Sequence, residues 1–147
     1  MKMLLKKMKN IGYRLIQIAG SLILLGGLFD VLMTFILHNV PKSHVDYLKL
    51  KDGSITTELQ KLDQALLRAI GGCLIGLGIA TLTIFSGRPK NMQRSSIFST
   101  LSLITIAEGI NGTQMILIHS SYFFYPLLCV LITWFGTLFL IVKPPHP

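Results

Sequence analysis

Apolar residues in this chain gather into runs of about twenty, and that grouping limits the fold more than any motif does. A helix needs roughly 20 apolar residues to cross about 30 Å of hydrocarbon, because each residue rises about 1.5 Å. Four stretches reach that length, at residues 15–37, 65–85, 97–118 and 122–142. Their apolar residues are continuous rather than striped, the pattern of a helix surrounded by lipid. The chain is 51% hydrophobic and 14% charged over 147 residues, too little charge to cover a water-soluble domain of this size. The expected fold is all-α: an integral membrane, up-down four-helix bundle forming one domain over residues 1–147. Its only sizeable connection is a loop at 38–63, where Pro41 and the Asp52-Gly53 step mark turns and the length allows no more than a lid or a surface strap.

The third stretch carries Glu108 near its middle, with Asn111 and Gln114 on the following turns. A carboxyl at bilayer depth costs roughly 2.5 kcal/mol or more on insertion scales, so it faces a partner, a cavity or a pathway. The wider polar series from Ser99 to Gln114 repeats every three residues and slips by about 60° per step, so its ends do not share a face. Thr105, Glu108, Asn111 and Gly112 do share one.

The other three stretches add context to that carboxyl. In the first, Gly12, Ala19, Gly26 and Gly27 lie on the face of Asp30, and small residues let helix backbones approach in lipid. This stretch is too long for the apolar region of a signal peptide, so it reads as a retained span. The second has Arg68 near its mouth and a ridge of Gly72, Gly76 and Ala80 expected to meet a neighbour. Thr57 and Gln60 have the spacing of a capping box, which starts this helix before the membrane. The fourth has no charge. It opens on Tyr122, Phe123, Phe124 and Tyr125, which read as an interfacial aromatic belt, and Pro126 sits in its first turn.

A net charge of +8 invites a nucleic-acid reading, but its distribution argues against one. Nine of the fourteen basic residues (Lys2, Lys6, Lys7, Lys9, Arg14, Arg88, Lys90, Arg94 and Lys143) fall on one side of the expected membrane. The positive-inside bias makes that side, and both termini, cytoplasmic. Cys73 and Cys129 belong to no CxxC motif, and both lie inside spans at depths where they could meet. His38 and His119 sit at outer helix ends, where histidine serves as an amphipathic residue far more often than as a metal or haem ligand. Nucleophile, phosphate-loop and zinc-protease motifs are absent, so no catalytic residue, metal or cofactor is assigned.

By helical rise, Asp30, Arg68, Glu108, Asn111 and Gln114 all fall in the outer half of the membrane. They are expected to line a polar pocket there, with Arg68 paired to Asp30 or Glu108. The same cluster has a structural reading, in which these groups merely lock the helices together.

The run Arg68-Ala69-Ile70-Gly71-Gly72-Cys73-Leu74-Ile75-Gly76-Leu77-Gly78 resembles the Arg-Ala-x-Gly-Gly-x-x-x-Gly-x-Gly segment of uncharacterised bacterial four-span proteins of the DoxX-like group. Gly26-Gly27-Leu28-Phe29-Asp30 in the first stretch is compatible with that group. The resemblance covers about a tenth of the chain and carries over only Arg68, Gly71 and Gly72, as a packing motif. It implies a four-helix bundle in the bacterial inner membrane. Some members are subunits of quinone-linked oxidoreductases, which implies a small redox or lipid-like ligand. Three functions follow as expectations. The leading one is an accessory or ligand-binding membrane protein holding a quinone or lipid, alone, as a homodimer or with a partner membrane subunit. The second is a proton-coupled small-molecule transporter, dimeric, with Glu108 as the coupling carboxylate. The third is a membrane enzyme using Glu108 as acid or base, supported by that residue alone.

Overall fold

The computed structural model describes residues 2–36, 40–49, 55–87 and 93–142. Among them the chain is helical and turn, with no strand: α1 (Lys2–Ile36), a short α2 (Lys42–Tyr47), α3 (Thr57–Ile84), α4 (Arg94–Leu117) and α5 (Phe124–Ile141). His38, Asp52-Gly53, Arg88, Lys90 and Lys143 lie outside the described residues.

Three helices, α1, α3 and α5, are long and apolar enough to cross a membrane. The third expected span is present as α4, and its 24 residues are enough to cross. Glu108, Asn111, Gln114 and several Ser and Thr residues dilute its apolar character, and it falls outside that group.

The first helix is longer than expected. Leu, Lys and Met are strong helix formers and no Gly or Pro precedes Gly12, so the basic leader is simply its first turns. The segment at 38–63 is not all loop either. α2 begins after Pro41, whose carbonyl accepts from the His44 and Val45 amides, and ends where Lys49 turns left-handed at φ 51°. His44 Nδ1 lies 2.5 Å from Asp63 Oδ1, strapping α2 to the first turns of α3. The cap of α3 is Thr56, not Thr57: its hydroxyl accepts from the Leu59 amide at 3.2 Å. The residue three positions after the cap is therefore a leucine, and the expected box with Gln60 does not form.

α1 is the common partner. It runs antiparallel to α3, with Gly27 against Gly71 and Leu24 against Gly78, and antiparallel to α5, with Gly12 against Gly136. α4 lies antiparallel along α5, with Gly112 against Leu127 and Thr105 against Trp134. α3 and α4 approach one another at only a few residues. Two apolar clusters join all four long helices: Tyr13, Ile16, Phe85 and Ile97 near one end, and Ile23, Leu74, Ile104 and Cys129 farther along.

The glycines fix how close these helices come. A Cβ at Gly27 would stand 2.6 Å from the Gly71 carbonyl oxygen, and one at Gly12 would stand 2.5 Å from that of Gly136. Contact at that range needs residues without side chains. The face of α3 that makes it is Gly71, Leu74, Gly78 and Thr81, all buried. The expected ridge of Gly72, Gly76 and Ala80 lies on about the opposite side of the helix and is exposed, with open space beside both glycines.

The exterior of the long helices is more apolar than that of a protein in water. Leu25, Phe29, Leu32, Ile106, Leu131 and Phe135 are all more than half exposed, whereas Thr34, Thr81, Thr100, Glu108, Thr133 and Thr137 are buried. An apolar exterior, with threonines and a carboxyl buried among the apolar core residues, fits a lipid surrounding.

Candidate functional site

Glu108 is the one acidic side chain among the described residues that is fully buried, at 2% exposure. It sits on the inner face of α4 with Ile97, Thr100, Ile104 and Gly112, a set spaced by three and four. That spacing turns the carboxyl toward α1 and α5. One turn on, the Asn111 amide donates to Glu108 Oε2 at a long 3.4 Å. Asp30, half-buried on α1, is close enough for the two carboxyl charges to interact. The Asp30 Cβ packs beside Gly71, so it is the bare backbone of α3 that lets Asp30 occupy this seam.

Tyr125 and Cys129 on α5 complete the surroundings. Both lie within electrostatic reach of Glu108, and Tyr125 is within reach of Asp30 as well. Tyr125 is no member of an outer aromatic belt. Tyr122, Phe123 and Phe124 are exposed as expected of one, but Tyr125 turns inward and donates from its hydroxyl to the Leu22 carbonyl at 2.6 Å. Its direction follows from the buried series Pro126, Cys129, Thr133 and Thr137, on whose edge it lies. That series was the sequence signal available for it, and four aromatics in a row obscured it.

Arg68 does not pair with either carboxylate. It is exposed, its Nε donates to Thr34 Oγ1 at 2.9 Å, and its guanidinium lies 4.6 Å from the Phe35 ring centre. Among the described residues no carboxylate lies within ion-pair distance of it. Thr34 is one turn beyond Asp30 on the same seam, a neighbour that sequence reasoning missed. Its hydroxyl in turn donates to the Val31 carbonyl at 2.7 Å, so it accepts from arginine while capping its own helix turn. A neutral hydroxyl and an aromatic face satisfy Arg68 without bringing it to the buried acids.

Gln114 is exposed and stands apart from the cluster, because six residues past Glu108 is about 240° around the helix. Of the five expected pocket residues, then, Asp30, Glu108 and Asn111 come together, Arg68 borders them through Thr34, and Gln114 faces away. Thr105, also expected on this face, is half-buried and accepts from Trp134 Nε1 at 3.0 Å, which ties α4 to α5. The two cysteines do not meet: Cys129 is in the core, Cys73 is exposed on α3, and both are free thiols. His119 lies just past the end of α4 and is exposed.

No protein-family model matches the chain, and neither a curated protein nor a solved structure matches it.

Proposed function

We propose that the chain is a small membrane protein that crosses the bilayer four times as an up-down bundle and binds a small amphiphile, quinone- or lipid-like, against the Glu108 carboxyl. The observation that carries this reading is a fully buried carboxyl with a second acid within electrostatic reach and, among the described residues, no cation paired to either. Two acids in apolar surroundings are costly unless a proton or a ligand compensates them. Had Arg68 closed on them, an internal ion pair would have met that need. Instead the cluster offers Glu108, Asn111 and the Tyr125 hydroxyl as polar contacts, with Ile23, Leu74 and Ile104 as apolar walls nearby. A carbonyl or hydroxyl head with an apolar tail complements such a set. The sparse contact between α3 and α4 supports lateral access from lipid.

The DoxX-like resemblance of residues 68–78 supports the same ligand class and a bacterial inner membrane, and the basic flanks support cytoplasmic termini. The test begins with mildly purified protein: an absorption spectrum, then mass spectrometry of the small molecules extracted from it. A stoichiometric quinone or lipid is expected, and Glu108→Gln is expected to lower its occupancy about tenfold or more while helix content and unfolding midpoint are kept. Equal loss of ligand and fold would mean that Glu108 only holds the helices together. An empty protein that moves a solute into proteoliposomes under a pH gradient, and stops doing so as Glu108→Gln, would replace this reading with a proton-coupled transporter.

A further inference from the structure

The first turns of α1 stand beyond the packed helices. α3 has ended by Ile84, and α5 ends at Ile141, about one turn past the meeting of Gly136 with Gly12. α1 itself is 35 residues, about 52 Å long, far more than about 30 Å of hydrocarbon needs. What projects is a helix of two sides. At 100° per residue, Leu4, Leu5, Met8 and Ile11 share an arc of about 120°. Leu4 and Ile11 are 66% and 41% exposed. The exposed cations Lys6, Lys7, Lys9 and Arg14 lie outside that arc.

No acidic residue occurs before Asp30, so these cations have no counter-charge within their own part of the helix. A further cation joins them at the same end. Ile97 packs in one cluster with Tyr13, whose hydroxyl donates to the Gly87 carbonyl, and exposed Arg94 is one turn before Ile97.

We infer that this end of the molecule is a binding surface for anionic phospholipid headgroups. The cations supply the attraction to phosphate, and the exposed apolar arc lies at the level where headgroups give way to acyl chains. A nucleic acid would use the cations but would leave Leu4 and Ile11 in water, which is why lipid is the occupant chosen. Each Lys or Arg near a charged headgroup layer favours it by roughly fivefold, less when salt screens it.

The experiment uses the full chain in neutral detergent, titrated with phosphatidylglycerol or with phosphatidylcholine of the same acyl chains, and read as lipid adducts by native mass spectrometry. Phosphatidylglycerol is expected to be favoured by about tenfold or more, and the preference should shrink as salt rises. Replacing Lys6, Lys7 and Lys9 together with glutamine should bring the two lipids close to parity, with helix content unchanged. Replacing the same three with arginine should retain the preference. An undiminished preference in the glutamine variant overturns the proposal, as does equal loss in the arginine variant. Displacement of phosphatidylglycerol by a short oligonucleotide at comparable concentration would also overturn it and make this a nucleic-acid surface.

Discussion

His119 holds a backbone conformation that its side chain does not favour. It lies at φ 53°, just past the end of α4, where its amide donates to the Ile116 carbonyl and the next amide, that of Ser120, reaches back to Met115. This is the paired hydrogen-bond ending in which glycine is usual, since a Cβ is strained in the left-handed region. His119→Gly is therefore expected to stabilise the chain by about 0.5–1 kcal/mol, read as a raised midpoint in a detergent unfolding titration. A lowered midpoint would mean that the imidazole makes a contact worth more than the strain. The sequence placed His119 at a helix end but did not give its backbone geometry, because histidine takes the left-handed region far less regularly than glycine does. Glu108 was legible for the opposite reason: a lone carboxyl in an apolar run has few places to go. Arg68 was not. A long side chain reaches whichever acceptor its helix register brings near, and here that is a threonine hydroxyl and a phenyl ring.

At the level of elements, the existence of the four long helices was legible and their faces only partly so. The small-residue face of α1 packs inward as expected, with Gly12, Ala19 and Gly27 buried. α3 presents glycines on two nearly opposite faces, Gly72-Gly76-Ala80 and Gly71-Leu74-Gly78, and composition cannot choose between them. The choice is made by α1, whose own backbone fits the second. This yields a paired expectation. A Cβ at Gly78 would stand 2.7 Å from the backbone nitrogen and the Cβ of Leu24, so Gly78→Ala should cost about 1–3 kcal/mol by forcing α1 and α3 apart. Gly72→Ala meets open space and should leave stability unchanged or raise it by up to about 1 kcal/mol through better helix propensity. Thermal unfolding of the two variants, followed by circular dichroism, separates them. The reverse order would assign the helix interface to the other face. Helix starts were the least legible feature, as the one-residue displacement of the α3 cap to Thr56 illustrates.

For the molecule as a whole, the proposed topology turns on α4 crossing the membrane beside α1, α3 and α5, the three helices long and apolar enough to cross. Length permits it, and its one carboxyl is turned inward, as is Thr100, while Thr105 and Asn111 are half-buried and hydrogen-bonded to Trp134 and Glu108. Four crossings place residues 1 and 147 on the same side, and three place them on opposite sides. Reporters active only in the cytoplasm, fused separately before residue 1 and after residue 147, are expected to be active at both positions. Activity at one alone would remove α4 from the membrane and the Glu108 cluster from its interior.

The central place of α1 has a consequence in time. α1 is made before α3 and α5, which both lean on it, and the Tyr125 hydroxyl meets the Leu22 carbonyl across 103 positions of chain. At a synthesis rate of roughly 5–20 residues per second, the α5-facing side of α1 waits some 5–20 s for its partner. Throughout that interval the Leu22 carbonyl has only its bond within the helix, and the Gly12 groove is without the α5 backbone that fills it. A pause in translation late in the message would therefore act on assembly, not merely on yield.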